Sequence, residues 1–154
     1  MGVPTTYRYR ASAIKKKLMA KLVAKQTQNL IAYAEKELQT MLETRGFNHR
    51  TYNLHDSYVW AVYYNGKREG YGFLDPAMAS QPARFHKEKI IGRKEATDFL
   101  DRFKPDKNGW TIVWAACAPY AKYLDSDGKK RFYVITQRYD AIGNVLGKSN
   151  VTLM

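Results

Sequence analysis

Cysteine occurs once in this 154-residue chain, at Cys117, and histidine three times, at His49, His55 and His86. A single cysteine excludes an internal disulfide and a cysteine-based zinc cluster, and a reducing compartment is the simple expectation. The histidines show no His-x-x-x-His spacing, so the sequence offers no dedicated zinc site and implies no cofactor. Acid is also scarce: 14 Asp and Glu stand against 26 Lys and Arg, for a net charge of +12. Such a surplus draws in polyanions or acidic protein surfaces. No run of eighteen apolar residues occurs, and MGVPTTYRYRASAIKKK has no apolar core of signal-peptide length. The expectation is a chain that neither spans a membrane nor is exported. The opening MGVPTT fits the N-myristoylation pattern, but that pattern is loose and a chance match is the simpler reading.

What is present is globular. Hydrophobic residues make up 45% and aromatics 14%, enough for a real core, and the length matches one domain of about 150 residues. The organisation expected is a flexible basic lead-in over residues 1–10, followed by one α+β domain over 11–154. Ile14, Leu18 and Leu22, then Leu30, Ala34, Leu38 and Leu42, recur mostly at steps of four. This spacing predicts an apolar helical stripe over 11–45, with Ser12 as N-cap and Gly46 as C-terminal stop. The polar interval Ala24 to Asn29 predicts a break or bend. Arg8, Arg10, Lys15, Lys16, Lys17, Lys21 and Lys25 precede every acid on this helix, while Glu35, Glu37 and Glu43 follow. Both groups oppose the helix dipole, which favours acids first and bases last. The basic end is therefore a solvated tail, or a contact for a polyanion or an acidic neighbouring subunit.

The remainder predicts strands at 58–64 (YVWAVYY), 71–74, 110–117 and 131–139, rich in β-branched and aromatic residues. NGKREG and DSDGKK give the clearest hairpin turns. A short helix is expected at about 93–103, burying Phe99, Leu100 and Phe103 and ending before Pro105. The region 75–92 has two prolines and no sustained period, and a loop of that length is usually functional or disordered. The expected fold is thus a long N-terminal helix on a mostly antiparallel sheet spanning 53–74 and 110–154, with one short additional helix. A strand apolar on both faces needs cover on both. One helix covers one face, so Tyr58, Trp60, Tyr63 and Tyr64 are the expected oligomer contacts unless a curled sheet hides them.

Catalytic patterns are weak. Cys117 lies in a run that reads as a buried strand, where a thiol is a small inert hydrophobe. No Gly-x-Ser-x-Gly elbow occurs, and NGKREGYG lacks the Gly-Lys-Ser/Thr ending of a phosphate loop. His55 and Asp56 are adjacent, but neighbours in an extended segment point to opposite sides. Asp127 and Lys129, with Asp75 or Asp98 as a distal acid, give the one Mg²⁺-nuclease pattern. Asp-Gly between strands is also a hairpin signal, and that reading is stronger. Tyr139 to Asn144, YDAIGN, reads as a single turn. Tyr7, Arg8, Tyr9 and Arg10 interleave rings and cations as a nucleic-acid binder would, without any DNA- or RNA-reading module beside them.

The order of elements resembles the phage proteins related to the tenth gene product of HK97, a neck and tail-completion family. There a helix precedes a Thr-Gly-Asn-Leu-Arg-x-Ser-like segment opening the first strand, and a later strand ends in Tyr-Ala before a glutamate and a glycine. Asn53, Leu54, Asp56 and Ser57 match the first motif; Tyr120 and Ala121 match the second, with Asp125 near the acidic position. Tyr52 stands where the family has glycine, and KYLDSDG replaces Glu-x-Gly. The resemblance implies a structural virion protein without catalytic residues. It would be made in the host cytoplasm and would form an oligomeric ring, often a hexamer, at the head-tail junction. Portal, adaptor and tail tube would be its neighbours, and non-specific DNA contact is compatible with its charge. The alternatives are a basic nucleic-acid-binding accessory protein and, less favoured, a metal-dependent nuclease.

Overall fold

An Asn-Gly pair sets the sheet. In the computed structural model, which describes residues 5–44, 53–74, 91–119, 121 and 134–146, Asn65 and Gly66 take φ of 48° and 82°. This left-handed pair suits a tight hairpin between right-twisted strands. It joins β1 (Tyr58–Tyr64) to β2 (Lys67–Phe73), and β3 (Trp110–Ala116) pairs with the other edge of β1. The resulting sheet has the order β2-β1-β3, with both pairings antiparallel. Asn65 also clasps the approach to β3: its N–H donates to the Gly109 carbonyl and its Oδ1 accepts from the Gly109 N–H, each at 2.8 Å.

Helix α1 runs over Thr5–Glu43, 39 residues and about 58 Å at 1.5 Å per residue. Two expectations are corrected here. Residues 5–10 belong to this helix rather than to a flexible lead-in, so Ser12 lies within it and is not its cap. No break divides it at Ala24–Asn29, because that interval holds neither Gly nor Pro and polar residues alone do not stop a helix. Thr27 instead faces the sheet: its hydroxyl donates to the Val23 carbonyl at 2.8 Å and accepts from Trp110 Nε1 at 3.1 Å.

Alternation along β1 sends successive side chains to opposite faces. Tyr58, Trp60 and Val62 pack with Ala34, Leu38 and Met41 of α1. Trp114 supports them, its indole N–H donating to the Ala34 carbonyl at 2.9 Å. Val59, Ala61 and Tyr63 pack beneath α3 (Gly92–Arg102), against Ala96, Leu100, Phe99 and Phe103. The short helix expected at 93–103 is therefore the cover for the second face. Glycines 70 and 72 of β2 make room on the first. A Cβ at Gly72 would lie 2.6 Å from Trp60 Nε1, and one at Gly70 2.8 Å from Ile31 Cδ1.

Residues 53–57 do not extend the sheet. Asn53–Asp56 form a one-turn helix, α2, closed when Ser57 Oγ donates to the Leu54 carbonyl at 2.8 Å. The expected strand over 131–139 and turn over 139–144 are also corrected, within the described residues. Val134 and Ile135 bend, Thr136–Arg138 form a 3-10 turn, and Tyr139–Leu146 form helix α4. Tertiary bonds replace the ladder that a strand would need. Tyr58 Oη donates to the Val134 carbonyl at 2.7 Å, and Gln137 Nε2 donates to the Met41 carbonyl at 3.2 Å. Arg138 Nε reaches Glu37 Oε1 at 2.5 Å. The DSDGKK turn and the loop over 75–90 lie outside the described residues.

Candidate functional site

Three of the four expected oligomer contacts are interior. Tyr58, Trp60 and Tyr63 are buried within the chain, because α1 and α3 cover opposite faces of β1; they are not a surface for another subunit. Tyr64 is half-buried and stacks with Trp110, ring centroids 4.8 Å apart. Two helices, not one, cover this strand.

The uncovered apolar surface lies elsewhere. Trp110 and Trp114 bond to Thr27 and Ala34 respectively, so α1 lies over one face of the sheet and leaves it at the hairpin end. From Ala13 to Gln26 every side chain is exposed except half-buried Val23. Ile14, Leu18, Met19 and Leu22 are between 53% and 61% exposed. Side chains on all sides of this half are exposed, so it projects past the sheet rather than merely turning its apolar residues away from it. The four-residue step also winds the stripe, since it overshoots a 3.6-residue turn by about 40°, and Leu18 and Leu38 end up about 200° apart.

Lysines 15, 16, 17, 21 and 25 are exposed along the same half, and Arg8 and Arg10 belong to the same helix. No acid interrupts them before Glu35. The result is a helical arm with a narrow apolar seam and basic surroundings. A seam of this width suits packing against another helix or a protein groove. An open notch of about 560 Å³ lies at the root of the arm, between Met19, Val23 and Thr27 and the Tyr64 and Glu69 side of the hairpin.

The remaining candidates are distributed differently. Leu54, Asp56 and Ser57 of the first family motif are buried, in the α2 turn before β1 rather than at a strand opening; Asn53 begins that turn. Ala121 of the second motif is buried, while Tyr120 and Asp125 lie outside the described residues. The expectation that His55 and Asp56 point apart is corrected. The helical turn brings Nδ1 to 2.9 Å from Oδ1, with both residues buried. The neighbouring Ser57 hydroxyl donates to the Leu54 carbonyl, a contact that closes the turn rather than presenting a nucleophile.

Cys117 follows β3 and packs in the α3-side cluster. Burial first, and then the nearby Glu95 carboxylate, pushes its thiol up to about 12. Of the nuclease pattern only Asp98 is described. It accepts from Lys94 Nζ at 2.6 Å one turn away on α3. Among the described residues no three His, Cys, Asp or Glu side chains converge as metal ligands, and no helix is long and apolar enough to cross a membrane.

The fold is α+β, a long helix and a three-stranded antiparallel sheet with short helices. Comparison with protein-family models, curated proteins and solved structures finds no match for the chain.

Proposed function

We propose that this chain is a structural subunit of the neck of a tailed bacteriophage, assembling as a ring at the head-tail junction beside portal, adaptor or tail tube proteins. The observation that carries the reading is the arm. Isolated helices in water are marginal, since most helical stability comes from packing an apolar face. Here residues 13–26 extend in a helix whose apolar residues Ile14, Leu18 and Leu22 face solvent. Such an element gains its stability from a neighbour, as assembly subunits do. The order of a basic helix, the Asn53–Ser57 segment and aromatic strands supports the phage assignment through its resemblance to the neck family. The role asks for large contacts and no catalytic step.

The test is genetic. In the phage that encodes this chain, inactivating the gene leaves filled heads and tails unjoined under the electron microscope, and purified protein restores joining. Normal joined particles without the protein overturn the reading.

A second reading is favoured by the unbroken lysine series. If the arm binds DNA, affinity falls steeply with salt, because each neutralised phosphate releases counterions. Replacing Lys15, Lys16 and Lys17 with Gln then flattens the slope of log K against log salt by roughly two to three units.

A further inference from the structure

Strand β2 lies at one edge of the described sheet, and its register sets Arg68 against Tyr63, Tyr71 against Ala61 and Phe73 against Val59. All three therefore project on the α3 side, opposite α1. Helix α3 covers β1 on this face but leaves Tyr71 51% exposed. The Tyr71 ring meets Phe73 in a T-shaped contact, centroids 5.9 Å apart, and the Arg68 guanidinium lies 4.6 Å from its centroid. Among the described side chains, Arg93, Arg102 and Arg138 each donate a hydrogen bond within the chain, and Arg68 donates none. Its chain neighbour Glu69 lines the notch at the root of the arm, on the α1 side. A second polar group here lacks a partner. Tyr63 is 4% exposed, and its enclosed Oη makes no hydrogen bond. Burial pushes that hydroxyl's pKa up, and the nearby Arg68 charge opposes the rise without the geometry of a hydrogen bond.

We propose that Tyr71 and Arg68 bind a base and its adjacent phosphate in single-stranded nucleic acid, the base stacking on the exposed ring and the phosphate oxygens accepting from the guanidinium. A planar fork of free N–H donors matches phosphate oxygens, and a ring face takes any unpaired base. A buried hydroxyl without a partner is costly, and a phosphate oxygen beside Arg68 supplies Tyr63 with the missing acceptor. The net charge of +12 adds an attraction for phosphate that is independent of sequence. Bases stacked and paired in a duplex offer no open face to Tyr71, so the site selects single strands. An added β-strand from a protein partner is disfavoured, because this edge carries a register shift and the charges of Lys67, Arg68 and Glu69, features that blunt strand pairing. The surface is separate from the arm, and the inference does not depend on the neck reading.

The test measures fluorescence anisotropy of a labelled oligothymidylate of about 16 nucleotides, and of a duplex of equal length, with the full chain at one fixed salt concentration. The variants are Tyr71→Ala, Tyr71→Phe and Arg68→Gln. Both positions are exposed, and circular dichroism and melting confirm that each variant is folded. The expected result is tighter binding of the single strand than of the duplex. Tyr71→Ala weakens single-strand binding about fivefold or more, the loss of one stacked base, and leaves duplex binding unchanged. Tyr71→Phe keeps the single-strand affinity, and Arg68→Gln lowers it. The Tyr71→Ala loss persists when Lys15, Lys16 and Lys17 are also replaced by Gln, which separates the site from the arm. A strand carrying 5-iododeoxyuridine cross-links under ultraviolet light to the peptide that contains Tyr71. A chain that binds neither form, or both equally, overturns the proposal. So does a Tyr71→Ala variant that binds as the native chain does, or a cross-link on the arm alone. Displacement of the strand by thymidine monophosphate at equal nucleotide concentration overturns it in favour of a free nucleotide. The neck reading is judged separately, by head-tail joining in the mutant phage.

Discussion

Leu18 and Leu38 belong to one four-residue repeat on one helix, yet Leu18 is 56% exposed and Leu38 1%. The end of the sheet, reached at Thr27, divides α1 into an anchor that is part of the core and an arm that is not. Stability should divide the same way. Leu38→Ala removes a fully covered side chain and is expected to cost about 2–5 kcal/mol. Leu18→Gln should stay within about 0.5 kcal/mol, as exposed substitutions do. Urea unfolding of the two variants, at concentrations where the chain is monomeric, checks the contrast; equal losses would mean the arm packs within its own chain.

Gly72 is opposite Trp60 in the register of β1 and β2. A methyl group there would meet the buried indole at 2.6 Å, and the tightly packed ring has little room to retreat. Gly72→Ala is expected to cost about 1–3 kcal/mol through overpacking. A neutral result in denaturant titration would show that the indole can move aside.

Arg138 pairs with Glu37, whose side chain is only 5% exposed. Removing the guanidinium in Arg138→Ala leaves that carboxylate buried without its cation, at an expected cost of about 2 kcal/mol. Because the pair joins α4 to α1, amide exchange should speed up across 139–146 and remain slow in β1. Uniform acceleration would instead assign the pair a global role.

The Cys117 thiol is raised from 9.0 to about 12 by burial, so the folded chain holds a proton that the unfolded chain releases in that interval. Its contribution to stability is fully present below about pH 9 and is lost as pH rises toward 12. Burial raises Tyr33 and Tyr63 from 10.0 as well, which adds to the alkaline loss. The melting temperature is expected to fall above pH 9, less steeply in Cys117→Ala. Iodoacetamide at pH 8 should modify the native thiol at least ~10-fold more slowly than the thiol in urea, since the thiolate is the reactive form. Equal rates would contradict the burial.

Much of the fold was legible because local chemistry and tertiary structure agree. Tyr58–Tyr64 has β-forming residues and ends at Asn65-Gly66, whose backbone needs match the hairpin. The segment at 134–146 was not legible. Val134, Ile135 and Thr136 carry strand propensity, but Tyr58, Met41 and Glu37 bond this segment from far along the chain, and tertiary context overrides propensity. The doubly covered strand was half-legible: α3 appeared in the sequence, but nothing local showed which face it would cover. The arm was visible as lysines. Its leucines read as core because nothing local shows that the sheet ends at Thr27 and leaves them uncovered.

The most direct test of the proposed role is to count this chain in gradient-purified virions by quantitative peptide mass spectrometry, relative to the portal protein. A structural neck subunit is present in a fixed ratio to portal, and that ratio collapses when Leu18 and Leu22 are replaced by Gln. Abundance in the infected cell together with absence from purified particles would contradict it.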